Sequence, residues 1–319
     1  MLSRRVLLAA PAALAVAAAA RADSFPDRPV RIVVAYAPGG GADLMARAVA
    51  QHMSPLLGTS VIVENRSGAT GAIGAQAVAS APADGHTLLF GSGSELAVQP
   101  LVQKGLAYDV DRDFVPVSLL GVTPVVLAVN ARLPAADVAA LIALARGKPL
   151  SFASSGTGTI NHLTGELFAV RAGIKLLHVP YRGTGQAVSD AASGQVDMIF
   201  AGIPAVLPQV QAGHLRLLAV STAERSAAAP AVPTLAEAGY PGFDMSNWFG
   251  LLAPSGTPAA VLDRLGATAR AVAREPEIQA LFQRLGGEAR ETTAAQFAAL
   301  IKAERTRLAE AVKAAGLAG

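Results

Sequence analysis

Short runs of Val, Ile, Leu and Phe recur along the chain, with longer amphipathic stretches between them. The runs are "VRIVVAY" (30–36), "SVIVEN" (60–65), "HTLLFGS" (86–92), "PVVLAVN" (124–130), "LSFASS" (150–155), "LLHVPY" (176–181), "VDMIFAG" (196–202) and "LRLLAVS" (215–221). Strand-length apolar runs alternating with helical periodicity predict an α/β protein with largely parallel sheets. After Asp43, the residues Leu44, Met45, Ala48, Val49, His52, Met53 and Leu56 fall on one helical stripe. Near the end Phe297, Leu300, Ile301, Glu304, Leu308 and Val312 form a second stripe with one charged interruption. Each of these helices is expected to lie against a sheet. Two apolar stretches, "VSLLG" running into "PVVLAVN" and "DMSNWFGLLAP", are placed to cross between halves of the molecule. They predict two lobes, the first from 24–123 plus 246–319 and the second from 124–245.

The start of the chain changes how the composition is read. "MLSRRVLLAAPAALAVAAAARA" (1–22) has a basic beginning, an apolar stretch and Ala20-Arg21-Ala22 as a small-x-small cleavage site, the pattern of an export signal. The apolar stretch falls short of the ~20 residues of a membrane span and contains Pro11, so a signal peptide is expected rather than an anchor. Ser3-Arg4-Arg5 suits either a general or a twin-arginine export route. The mature chain then starts at Asp23 and is expected outside the cytoplasm. The segment holds three of the 26 basic residues, leaving 23 against 23 acidic ones, so no electrostatic footprint for nucleic acid or an anionic membrane survives. With no cysteine, disulfides and Cys-ligated metals are excluded, and the core alone must hold the fold. At 52% hydrophobic residues there is ample material for two lobes.

Candidate chemistry gathers at two strand ends, one in each half. "VVAYAPGGGAD" and "LSFASSGTGTINHL" both pass from a strand through glycine and small hydroxyl residues into a helix. Glycines let backbone approach a ligand, and free amides at a helix N-terminus favour an anion. Gly39, Gly40 and Gly41 therefore read either as an anion seat made of main chain or as a tight turn only; the second such turn, Ser154 to Thr159, favours the seat. Neither turn has a Walker ending or completes G-x-G-x-x-G, which leaves a carboxylate as the simplest guest. Asp43 reads as a cap, or as a contact to a bound water or a ligand amino group. His162 could donate to a carboxylate or bond within its own turn. Tyr181 and Arg182 follow a strand end, and Arg182 either pairs a second carboxylate or bonds within its own lobe. There is no G-x-S-x-G, no H-E-x-x-H and no metal-like histidine spacing, so no catalytic residue, metal or cofactor is expected.

Several ordered blocks carry a family resemblance: "FPDRPVRIVVAYAPGGGADLMAR", "VIVENRSGATGAIGAQAVASAPADGHTLL", "DFVPVSLLG", "SSGTGTINHLTGELF", "HVPYRGTGQAVSDAASGQVDMIF", "GHLRLLAVSTAERS", "VPTLAEAGYPGF" and "WFGLLAPSGTP". From about Phe25 to near the C-terminus, the chain resembles the Bug or TctC-type extracytoplasmic receptors of tripartite tricarboxylate transport systems. The resemblance implies a monomeric periplasmic Venus-flytrap protein, type II-like, whose two α/β lobes grip a small carboxylate partly through bridging waters. It implies delivery to a TctA/TctB-type membrane permease or to a periplasmic sensor domain. The alternative is an enzyme acting on a carboxylate in the same cleft. By position, the first-lobe seat comprises Ala37, Pro38, Gly39, Gly40, Gly41 and Asp43 with Ser92 and Ser94 beside it. The second comprises Ser154, Ser155, Gly156, Thr157, Thr159 and His162, with Tyr181, Phe200 and Ala201 alongside. Departures from the family pattern are Ala42 where Thr is usual, "NRSGATG" for "NRPGAGG", and His86 for Tyr; the first two bear on which carboxylate is bound.

Overall fold

The computed structural model describes residues 25–318; the expected signal segment, 1–22, lies outside them. The chain begins with β1 (Val30–Val34), α1 (Gly41–Leu57), β2 (Val61–Asn65), α2 (Ala72–Ala79) and β3 (Thr87–Ser92). β1 pairs in parallel with both β2 and β3, as right-handed βαβ connections favour. β4 (Phe114–Asn130) follows, and then α3 (Val138–Gly147), β5 (Leu150–Ser154), α4 (Ile160–Ala172), β6 (Leu176–Pro180), α5 (Thr184–Ser193), β7 (Met198–Gly202), α6 (Ile203–Gln211) and β8 (Leu215–Val220). Here β5 pairs in parallel with β6 and β7. β9 (Ser246–Pro254) returns along β4, and α7 (Ala259–Arg274), α8 (Pro276–Arg284), β10 (Glu288–Ala289) and α9 (Ala294–Ala314) end the chain.

The expectation of largely parallel sheets needs correction at the centre. β4 runs antiparallel to β7, β8, β9 and β10, and β9 antiparallel to β3. Parallel βαβ units therefore flank an antiparallel middle built on the long strands β4 and β9, whose partners come from distant parts of the chain. The partners of β4 change along its length. Phe114 to Pro124 pair with β9, whereas Val125 to Val129 pair with β7. One strand thus belongs to two sheets, giving the two-lobed architecture.

The amphipathic helices also differ from their expected faces. In α1 the buried residues are Asp43, Met45, Ala46, Ala48, Val49, Ala50, Met53 and Leu57. Leu44 and Leu56 are exposed, and His52 is half-buried against Glu275. α1 is packed between its sheet and α7, so its small residues Ala46 and Ala50 are covered and the contact face is wider and rotated. α9 buries Phe297, Ile301, Leu308 and Val312 as its stripe requires, against β4 and the turn after β3, and it also touches α4.

Candidate functional site

The first glycine turn is tied down from beneath by Asp43. Its Oδ2 accepts the Gly39 amide at 2.9 Å and Arg47 Nε at 3.0 Å, while its Oδ1 accepts Asn65 Nδ2 at 2.9 Å. Asn65 Nδ2 also donates to the Tyr36 carbonyl, so one side chain braces both ends of the turn. Burial pushes the Asp43 carboxyl up, but the hydrogen bonds from Arg47, Gly39 and Asn65 and the charge of Arg47 outweigh it and hold the group below its ordinary range. The capping reading of Asp43 is thereby refined: its partner is the Gly39 amide before α1, and the rest of the carboxylate is taken by Arg47 and Asn65. Gly39 sits at φ +83°, where L side chains are strained, whereas Gly40 has φ −78° and needs no such freedom. Among the described residues, nothing in the protein takes the amides of Gly40, Gly41 or Ala42 at the head of α1.

These amides border a cavity of about 790 Å³. Of the expected residues, Ala37, Pro38, Gly39, Gly40, Gly41, Ser92, Ser94, Ser155 and Tyr181 line it. Asp43, Ser154, Gly156, Thr157, Thr159, His162, Phe200 and Ala201 do not, and each is occupied elsewhere. Thr159 caps α4 through the His162 amide. His162 Nδ1 accepts the Gly158 amide at 3.1 Å and its ring stacks on His178 with centroids 3.8 Å apart, so the histidine is bonded inside its own turn. Ser154 Oγ bonds His178 Nε2 at 2.7 Å. Burial, then the charge of His162, push His178 down to about 3, so it is neutral at ordinary pH. Phe200 and Ala201 are fully buried in the core.

The outward face of the second turn serves the other lobe. Thr157 O accepts Thr70 Oγ1 at 2.9 Å, Gly158 O accepts Gln99 Nε2 at 3.2 Å, and the Ile160 amide donates to Ser94 Oγ at 3.1 Å. Thr70 makes its bond from a left-handed conformation, φ 55°. The departure "NRSGATG" thus places a hydroxyl latch across the cleft.

Sequence reasoning did not single out Tyr36, Thr123, Asn161, Gln186, Pro204, Asn247 or Phe249, which also line the cavity, and it left Arg182, another lining residue, between two readings. Asn161 was legible as part of "GTGTIN", one residue from the histidine preferred instead; Asn247 and Phe249 stood in the crossing stretch "DMSNWFG". Beneath the lining lies Glu95, fully buried. Its carboxylate accepts the Ser92 amide, Ser92 Oγ and Tyr36 OH at 2.6–2.7 Å. Burial holds Glu95 above its usual range despite these bonds. Tyr181 OH donates to Asp190 at 2.8 Å, and burial followed by Asp190 pushes the phenol up to about 12. No cluster of metal-ligating side chains occurs among the described residues, and no described helix is long and apolar enough to cross a membrane.

A cavity between two α/β lobes, bordered by unclaimed helix-start amides, is the architecture of a two-lobed solute-binding protein. The tripartite tricarboxylate transporter family receptor, TctC, matches residues 45–317. The chain belongs to that family. Protein BugT of Bordetella pertussis (strain Tohama I) is 42% identical over 250 residues, 77% of each chain. Rpa4515 of R. palustris, solved with adipate, superposes with a TM-score of 0.90 at 36% identity, covering 92% of this chain and 99% of that one. MatC (Rpa3494) from Rhodopseudomonas palustris with bound malate gives 0.85 at 31% identity, covering 90% and 100%.

Proposed function

We propose that this protein is a periplasmic receptor that captures a small organic carboxylate between its lobes and presents it to a tripartite-type membrane permease or a sensor domain. The observation that carries this reading is the row of unclaimed amides at Gly40, Gly41 and Ala42, residues that line a half-open cavity. Hydrogen bonds from neutral amides to a charged acceptor are about twice as strong as neutral ones, so a carboxylate can be held without a lysine beneath it. The carboxylates carried by Rpa4515 and MatC support the ligand class. The lobes are 24–123 plus 246–319 and 124–245; the change of partner at Pro124/Val125 in β4 and the start of β9 at Ser246 support these bounds. The chain acts as a monomer and turns nothing over.

The reading carries the expectation that ligand binding compacts the molecule, with cross-cleft bonds such as Thr70 to Thr157 holding the lobes together. A thermal-shift screen of carboxylates, followed by calorimetry and small-angle scattering, tests the reading. A dissociation constant on the order of micromolar, about −8 kcal/mol, with a smaller radius of gyration is expected. Tight binding without compaction removes the flytrap mechanism, and chemical change in the recovered ligand, seen by mass spectrometry, removes the receptor reading.

A further inference from the structure

Glu95 is a fully buried carboxyl that solute capture alone leaves without a task. It stands on a π-helical turn, Ser94–Val98, of a kind frequent at functional sites. Its Oε1 accepts the Ser92 amide at 2.6 Å, and its Oε2 accepts Ser92 Oγ at 2.6 Å and Tyr36 OH at 2.7 Å. Gly71 closes the other side, since a Cβ there would stand 3.3 Å from Oε2. Among the described residues no cation bonds this carboxyl. The titratable side chains that face it are Tyr36, at the end of β1, and Tyr108, whose hydroxyl donates to the Glu95 main-chain carbonyl at 2.6 Å. Burial, and after it Glu95 itself, hold both phenols well above their usual range. The other elements packed on this turn bring no counter-charge. β3, Ala69–Gly71 and Gln99–Val102 contain no ionisable side chain. α9 turns an apolar stripe inward, its Arg305 and Arg307 meet Asp111 and Glu304, and its remaining charged residues are exposed.

This carboxyl decides where two hydroxyl hydrogens point. Tyr36 and Ser92 both line the cavity. An ionised carboxylate only accepts, so both hydroxyls are then turned inward to Oε2 and keep only lone pairs for the cavity. A negative charge beneath that surface also opposes an anion above it. A protonated Glu95 donates a hydrogen of its own, so one of the two hydroxyls accepts it and its own hydrogen swings outward. Tyr36 OH and Ser92 Oγ lie 3.3 Å apart, so this exchange needs no movement of the backbone. Burial already holds Glu95 above its usual range, and a like charge in the cavity raises it further.

We propose that Glu95 is a proton switch for the cleft: an anionic solute binds together with a proton that neutralises Glu95 and turns a Ser92 or Tyr36 hydroxyl from the carboxyl toward the solute. Resting on the receptor reading above, the switch adds regulation to that same site. The sign is fixed by linkage. Glu95 releases its proton at higher pH in the loaded protein than in the empty one, so affinity falls as pH rises between those two values, by at most about tenfold per pH unit for one proton.

The test is calorimetry on the mature protein with malate, adipate and butyrate as probes, from about pH 6 to 8.5, where these acids are largely ionised. The best-bound probe should lose roughly tenfold to a hundredfold in affinity across that range. At about pH 7 its apparent enthalpy should differ between phosphate and Tris in the direction of proton uptake by the complex. Glu95→Gln keeps the shape and, like the protonated acid, offers a donor to the two hydroxyls. With thermal melts confirming its fold, it should bind independently of pH and at least as tightly as the wild type at the acid end. The buffer comparison uses the wild type alone and decides the point even if the variant does not fold. Affinity that is flat with pH and heat that is independent of buffer overturn the switch and leave the receptor reading standing. A pH dependence that persists unchanged in Glu95→Gln places the proton on another group and overturns it as well. No binding of any probe at any pH would sink the switch together with the receptor reading.

Discussion

Asp43→Asn is the sharpest probe of how the first glycine turn is held. The substitution keeps the size of a side chain that is 3% exposed and removes one acceptor. Four donor contacts converge on the carboxylate: Gly39 N, Asn65 Nδ2, Arg47 Nε and, at 3.0 Å, Arg47 Nη2. An amide can turn its oxygen toward Gly39 and Arg47 Nε, but its NH2 then faces Asn65 Nδ2 and Arg47 Nη2, donor against donor. Asn65 cannot flip to relieve this without losing its bond to the Tyr36 carbonyl. One charge-assisted hydrogen bond of roughly 1.5–3 kcal/mol is lost, while half-exposed Arg47 contributes little because water can replace its partner. The expected destabilisation is about 2–3 kcal/mol, read from urea unfolding at pH 7 as a lower midpoint with an unchanged slope. The pH dependence supplies an internal control. A carboxyl whose folded pKa is depressed stabilises the fold above its unfolded value, about 3.9, and that contribution disappears as pH falls through the folded value. The gap between wild type and Asp43→Asn should therefore close in acid below roughly pH 4. A loss under about 0.5 kcal/mol at pH 7, or a gap that stays constant into acid, would refute the claim that this carboxylate organises the turn.

Other expectations follow from the same geometry. Gly39→Ala should cost roughly 1–2 kcal/mol in a thermal melt, because φ is +83° and a Cβ meets nothing within 4 Å, leaving backbone strain as the whole penalty. Gly40→Val, at an ordinary φ with only the Ala37 carbonyl near, should leave stability almost unchanged yet abolish carboxylate binding by calorimetry; unchanged affinity would make the turn merely structural. His178 prefers its neutral form in the fold, so its contribution is present above its unfolded value and is lost as pH drops from about 6.5 toward its folded value of about 3. Wild type should lose about 1–2 kcal/mol between pH 7 and 5 from this group, and His178→Gln should flatten that interval. Thr70→Gly should relieve left-handed strain but remove the bond to Thr157, so the melt should hold or rise while ligand affinity falls several-fold; equal affinity would show that the latch does not assist closure.

The strand runs, the α/β class and the first glycine turn were legible because they are local. A run such as "VRIVV" reads as a strand from its own residues, all of which but Arg31 are buried, and three glycines before an amphipathic helix can hardly form anything but a turn with open amides. "SSGTGTINHL" is like that turn in composition but not in surroundings: Ser155 and Asn161 reach the cavity, and the rest of the stretch does not. Its amides are already spent, Gly156 on Ser154 Oγ, Gly158 on His162 Nδ1 and Ile160 on Ser94 Oγ, the last far away in the chain. The same holds for α1, whose stripe pointed at one sheet until α7 covered a second side and left Leu44 and Leu56 in solvent. Glu95 makes the point most clearly. Its type was visible from the start, but its burial among hydroxyl donors with no cation beside it depends on what the fold packs around it. Local periodicity and turn chemistry reside in neighbouring residues and so in the sequence itself. Which polar groups remain unsatisfied is a property of the whole packed chain, and only the tertiary structure decides it.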